Sequence, residues 1–194
     1  MIFEIIKDID YITNINILNL TMNSKIRFTK IRDVKGPSYR IGDAGSDFYV
    51  PNKTEDFLEA LLKKNVEELD NDIWVEGEDI VIGAHSQVLI PCGIKVDILD
   101  KNTYLDAENK SGIATKKELL VGAQVVDAIY QGEVHINLHN VSDKPQRIGF
   151  GTKAVQFLHK EYIQTVWEEI SNDEYDMIEI SERGAGGFSS TGLK

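Results

Sequence analysis

The pattern of apolar and polar positions changes character once along this chain. Ser24 to Ile31, SKIRFTKI, alternates with period two and predicts a strand. AGSDFYVP follows a turn-rich stretch and ends at Pro51. From Asp79 onward short β-like runs recur: DIVIGAHSQVLIPCGIKVDI, TYLDAENKSGIA, LLVGAQVVDAIYQGEVHINLHNV and QRIGFGTKAVQFLHKEYIQTVWEEI. Turn residues punctuate these runs, and the final strand-like stretch closes near Ile178 to Ile180. The segment between is different. Phe57, Leu58, Leu61, Leu62, Val66 and Leu69 fall at helical spacing and predict a helix from about Lys53 to Leu69. Asn52 with Glu55 three residues later resembles a capping pair. The plainest role for this helix is an amphipathic cover for a sheet or a subunit edge. Many short strands without a repeat predict an all-β sandwich, barrel or jelly roll.

Composition narrows the function. The 194 residues suffice for one domain with additions and a sizeable core. A net charge of -11 opposes broad binding to nucleic acid or to an anionic membrane surface. An anionic ligand would then need cations or a metal gathered locally. Cys92 is the single cysteine, so no internal disulfide exists and a reducing compartment, the cytoplasm, is expected. No apolar run reaches the length of a membrane span. Glu4, Asp8 and Asp10 interrupt the apolar N-terminus, which predicts no signal peptide.

Single features are equivocal. His135 and His139 are four apart, but VHINLH alternates like a strand, where that spacing separates side chains by about 13 Å. Cys92 reads as a small buried apolar residue. The tail RGAGGFSSTGLK begins a phosphate-loop pattern at Gly187, yet Leu193 stands where the lysine belongs and no helix follows. In VVDAIYQGEV, Asp127 either starts a hairpin turn or is an acid inside an apolar run, which is costly if ionised and unpaired.

Read together, five short motifs occur in order: AGSDFYV, NKSGIATK, GAQVVDAIYQGEV, GTKAVQF and RGAGGFSSTG. In this set the sequence resembles the homotrimeric dUTP pyrophosphatases, the dUTPases. The resemblance covers roughly residues 22–51 and 79–194. It leaves out an N-terminal extension (1–21) and the helical insert (about 52–78), and it makes 181–194 a C-terminal lid on a β domain spanning 22–180.

The resemblance implies a distorted jelly roll of the β-clip type, assembled as a homotrimer whose active sites are each built from three chains. It implies hydrolysis of dUTP to dUMP and pyrophosphate, which limits uracil in DNA and supplies dUMP for thymidylate, with Mg2+ held through phosphates and water. Asp127 would be the general base for the attacking water. Tyr130 would pack under the deoxyribose and exclude a 2′-hydroxyl. Backbone groups around Gln124, Val125, Val126 and His135 would read the uracil edge. Lys110, Ser111 and Gly112 would contact phosphates from a neighbouring chain, assisted by Gln156, with Asp47 ordering the site or hydrating the metal. Phe188 would stack on the uracil, and Arg183, Ser189, Ser190 and Thr191 would complete a tail that closes over bound nucleotide.

Four positions depart from the family pattern: Asn109 replaces proline, Lys110 replaces arginine, Ile129 replaces a second acid, and Ser189 replaces glycine. They bear on rate and phosphate geometry. Two other readings compete. One is a dCTP deaminase of the same fold, which needs a glutamate base in a different hairpin. The other is a regulatory protein on the same scaffold, with a protein partner at the helical insert.

Overall fold

The computed structural model describes residues 25–179 and Gly184; the N-terminal extension expected over 1–21 lies outside them. Twelve strands follow the turn-punctuated pattern: β1 (Ile26–Lys30), β2 (Ser46–Tyr49), β3 (Ile73–Glu76), β4 (Asp79–Ile82), β5 (Gln87–Pro91) and β6 (Ile94–Ile98) come first. β7 (Thr103–Asn109), β8 (Leu119–Val121), β9 (Val125–Asp127), β10 (His135–Asn140), β11 (Gln146–Gly149) and β12 (Lys153–Glu161) complete them. They form four small sheets, ordered β1-β6, β5-β10-β8, β11-β4-β3 and β2-β12-β7-β9, and their pairings are antiparallel. Short sheets of non-consecutive strands wrapped on one core make the all-β jelly-roll architecture that the alternation predicts. The described residues divide into two compact units, split between Ile163 and Gln164.

The sheet β2-β12-β7-β9 positions most of the chemistry. Its inner face buries Phe48, Leu105, Ala107, Val155 and Phe157, and the rings of Phe48 and Phe157 meet at 4.6 Å. The pairing register Gln156↔Glu108 and Leu158↔Asp106 puts the intervening polar residues on the opposite face. There Lys160 bridges Asp106 and Glu108.

The inserted segment forms α1 (Glu55–Leu62), which runs on as a π-helical turn from Lys63 to Glu68. The helix is where the spacing places it, but its buried stripe differs. Phe57, Leu61 and Asn65 are fully buried, whereas Leu62, Val66 and Leu69 stay partly exposed. The wider π turn brings a polar residue onto the packed line. Asn65 Nδ2 donates to the carbonyls of Leu61 and Leu89, each at 2.8 Å. Its Oδ1 accepts from the Leu89 amide at 2.7 Å and from Asn71 Nδ2 at 3.1 Å. A buried amide is thereby saturated, and it welds the insert to β5. Phe57 adds an edge-on contact with Phe150 at 6.0 Å. The capping expectation is corrected: Thr54 is the N-cap, and Asn52 instead donates its side chain to Asp33 at 3.0 Å.

Two further helices correct the strand reading. TYLDAENKSGIA is strand only to Asn109 and then becomes α2 (Ser111–Lys117), ended by Glu118 in the left-handed region at φ 50°. β12 ends at Glu161, and the stretch expected as a last strand holds α3 (Asn172–Asp176). Ser171 accepts from the Glu174 amide while Glu174 accepts from the Ser171 amide, a complete capping box.

Candidate active site

Two groups of predicted residues assemble along β7. The first surrounds a cavity of about 190 Å³ lined by Leu89, Gln124, Val125, Val126, Asp127, Tyr130, Val134, His135 and Phe157, among others. β9 is the last strand of its sheet and pairs with β7. One row of its backbone N–H and C=O groups therefore faces away from β7, a row of the kind that can read a planar base edge. Val126 points inward and is buried, while Val125 and Asp127 point outward and are exposed. Exposure removes the desolvation cost that an acid in an apolar run suggested, because the carboxylate of Asp127 stays in water. Asp127 also begins a turn: its carbonyl accepts from the Tyr130 amide at 3.0 Å.

Tyr130 folds back over Gly132. A Cβ at Gly132 would lie 2.3 Å from the Tyr130 hydroxyl oxygen and 2.4 Å from Cζ, so the ring's seat exists because that residue has no side chain. The Tyr130 hydroxyl donates to the carbonyl of Glu133 at 2.9 Å, and Nδ1 of His135 lies 2.8 Å from the same oxygen. A carbonyl can only accept, so Nδ1 of His135 is the donor in this contact.

The second group gathers Asp47, Lys110, Gln156 and a residue that sequence reasoning did not single out, Lys153. Lys110 reaches Asp47 Oδ1 at 2.5 Å and Lys153 reaches Oδ2 at 2.6 Å. Burial pushes the Asp47 carboxyl up, but the two ammonium groups outweigh it and hold the carboxyl below its ordinary value. Gln156 donates to the Asn109 carbonyl at 3.0 Å. Ser111 and Gly112 are exposed in the first turn of α2, where backbone N–H groups have no helical acceptor, and open space surrounds the Gly112 Cα. The signal for Lys153 was its place in GTKAVQF on the strand that pairs with AGSDFYV.

Asp127 and Lys110 do not meet within one chain. Asp127 pairs with Tyr104 at the start of β7, and Lys110 follows its end. Six residues at about 3.3 Å each place them about 20 Å apart along the strand. Arg183, Phe188, Ser189, Ser190 and Thr191 lie outside the described residues. The histidines are dispersed: His85 meets Asp143, His139 meets Asn137, and His159 meets Thr103. Cys92 is fully buried, and burial pushes its thiol up to about 12. Among the described residues no helix is long and apolar enough to cross a membrane.

Known proteins resemble this chain. A deoxyuridine 5'-triphosphate nucleotidohydrolase of Candida albicans is 38% identical over 115 residues, covering 59% of this chain and 70% of that protein. The mitochondrial enzyme of that name from Dictyostelium discoideum is 34% identical over 116 residues, covering 60% of this chain and 62% of its own. Among solved structures, a Staphylococcus bacteriophage 80alpha dUTPase with dUPNHPP superposes with a TM-score of 0.64 at 17% identity, over 87% of this chain and 99% of that one. An EIAV dUTPase does so with a TM-score of 0.53 at 19% identity, over 77% and 98%. The family model described as dUTPase matches residues 71–192, a span that holds the nucleoside-sized pocket, Lys110 and Lys153 together. The chain belongs to the dUTPase family.

Proposed function

We propose that this protein hydrolyses dUTP to dUMP and pyrophosphate in sites shared between copies of the chain. The observation that carries the reading is the hairpin pocket, in which an exposed carboxylate, a seated tyrosine ring and an unpaired strand edge face one cavity. Its volume is below the roughly 300–1,000 Å³ of a complete small-molecule site. The lysine cluster lies about 20 Å along β7. In this reading the base Asp127 and the clamp residue Lys110, well separated along β7 in one chain, serve different ligands. A cyclic assembly that apposes the seat of one protomer to the clamp of the next supplies both, and a homotrimer satisfies this.

In that site the strand edge at Gln124, Val125 and Val126, with His135, holds the base. The Tyr130 ring packs against the sugar and leaves no room for a 2′-hydroxyl, which rejects UTP. Asp127 accepts a proton from a water molecule whose oxygen bonds to the α-phosphorus. The bond from that phosphorus to the bridging oxygen breaks, and pyrophosphate leaves with the electron pair. Lys110, Ser111, Gly112 and Gln156 of a neighbouring protomer hold the phosphate oxygens, where positive charge matters most as charge shifts to the leaving group. Asp47 keeps Lys110 extended. Arg183, Phe188, Ser189, Ser190 and Thr191 take the roles that the family resemblance gives the tail.

We infer that Mg2+ would enter bound to the substrate. Among the described residues no group of three or more His, Cys, Asp or Glu side chains could hold a metal ion, and the Asp47 carboxylate is spanned by two lysines. The triphosphate and water would hold the ion, as is usual for Mg2+ at phosphate sites, where it neutralises charge. The lone buried thiol of Cys92 supports a reducing compartment, the cytoplasm.

Pyrophosphate release measured across dUTP, UTP, dTTP and dCTP with Mg2+ tests the proposal. The expected result is turnover of dUTP alone, lost in Asp127→Asn with nucleotide binding retained. Ammonia released from dCTP, or an Asp127→Asn variant as fast as the parent, refutes it.

A further inference from the structure

Glu133 has no role in the chemistry above, yet two side chains of the pocket, Tyr130 and His135, hang from it. Its carboxylate forms a two-pronged pair with Arg32, Nε to Oε1 at 2.9 Å and Nη2 to Oε2 at 3.1 Å. Oε1 also accepts from the Gly93 amide at 2.7 Å. Both side chains are largely buried, Arg32 at 16% exposure and Glu133 at 13%. Gly93 sits at φ +73°, and a Cβ there would lie 2.9 Å from Cβ of Arg32, so the clamp is built around a glycine. The backbone carbonyl of the same glutamate receives the Tyr130 hydroxyl and the protonated Nδ1 of His135. Both lone pairs of that oxygen are thus committed to pocket residues, while both carboxylate oxygens are committed to the body of the fold. Arg32 extends the chain of contacts to the insert, because its Nη1 reaches Asp56 Oδ2 at 3.2 Å.

We propose that Glu133, held by Arg32 and the Gly93 amide, is the positioning residue of the nucleoside pocket. Its anchored carbonyl sets the Tyr130 ring and the His135 imidazole at the depth that separates deoxyribose from ribose. The inference rests on the dUTPase reading above. A planar guanidinium engaged by both carboxylate oxygens fixes direction as well as distance. A glutamate cut loose from it would let the hairpin carbonyl, and the ring it holds, drift out of the space a 2′-hydroxyl needs.

The test measures kcat and KM for dUTP and for UTP in the full-length assembled protein, in the parent and in Glu133→Ala, Arg32→Ala and the double variant. The expected result is a fall in the dUTP:UTP ratio of kcat/KM of about tenfold or more in each single variant. Most of the fall should lie in a raised KM for dUTP. The double variant should be no worse than either single, since both break one clamp. Glu133→Gln keeps an oxygen for the Gly93 amide and should retain most of the discrimination. Should the alanine variants fail to fold, Glu133→Gln and Arg32→Lys carry the test with smaller falls of about two- to threefold, because lysine lacks the fork. A lowered thermal midpoint with an unchanged dUTP:UTP ratio in the folded variants overturns the positioning role and leaves the dUTPase reading intact. A parent protein without dUTP hydrolysis overturns both.

Discussion

Asn65→Ala is the sharpest probe of how the insert is fastened. The substitution deletes four hydrogen bonds at a fully buried site: two donated to the Leu61 and Leu89 carbonyls, and two accepted from Leu89 and Asn71. A net value of about 0.5–1.5 kcal/mol for each bond bounds the loss at about 2–6 kcal/mol. The Leu89 amide loses its acceptor outright, which sets the expectation at about 4 kcal/mol. That is a large part of the roughly 5–15 kcal/mol that stabilises an ordinary domain. Urea unfolding, followed by circular dichroism at one fixed chain concentration, is the assay. With a slope of about 2 kcal/mol/M the midpoint should fall by about 2 M. Amide exchange at Leu89 should accelerate in the same variant. Asn65→Asp should destabilise as well, because it keeps the acceptor for Leu89 but turns an oxygen toward two carbonyls. A midpoint within about 0.5 M of the parent together with unchanged exchange at Leu89 would refute the reasoning.

Other consequences are as direct. Gly132→Ala should displace the Tyr130 ring, because the new methyl would sit 2.3 Å from the hydroxyl oxygen; steady-state kinetics should show a higher KM for dUTP and weaker rejection of UTP in a folded protein. Cys92 should resist alkylation in the native protein and react only on unfolding, since its thiol is pushed up to about 12 and is buried; mass spectrometry across a urea series reads this out. Asp47 sits below its ordinary 3.8, so its pairing with Lys110 and Lys153 adds stability above that value and loses it as pH falls through the lowered one. Stability curves of the parent and of Asp47→Asn should therefore differ at neutral pH and converge in acid.

Strands such as β6 and β7 were legible because alternate residues are buried and period two survives in the sequence. The hairpin carrying Asp127 and Tyr130 was legible for a related reason: its turn needs Gly132, and only a glycine can lie under that ring. Asn65 was not legible. A polar residue between apolar positions reads as solvent-facing until the partner strand is known, and Leu89 is 24 residues away. Asn52 had the right chemistry for a cap, but its amide was claimed by Asp33, a tertiary competitor invisible at short range. Ser171 and Glu174 did carry a helix-start signal, which the apolar alternation beyond them obscured. Of the Asp47 cluster only Lys153 escaped, for want of register: Lys153 and Lys110 lie 43 positions apart, and only the pairing of β2 with β12, and of β12 with β7, brings both to one carboxylate.

The separation of Asp127 from Lys110 along β7 has a genetic corollary. In the proposed shared site, a copy with a dead base still offers a sound clamp, and a copy with a dead clamp still offers a sound base. Around a closed ring, any mixture of the two must contain a junction where sound meets sound. Two inactive alleles, Asp127→Asn and Lys110→Ala, would then rescue one another when co-expressed, although neither works by itself.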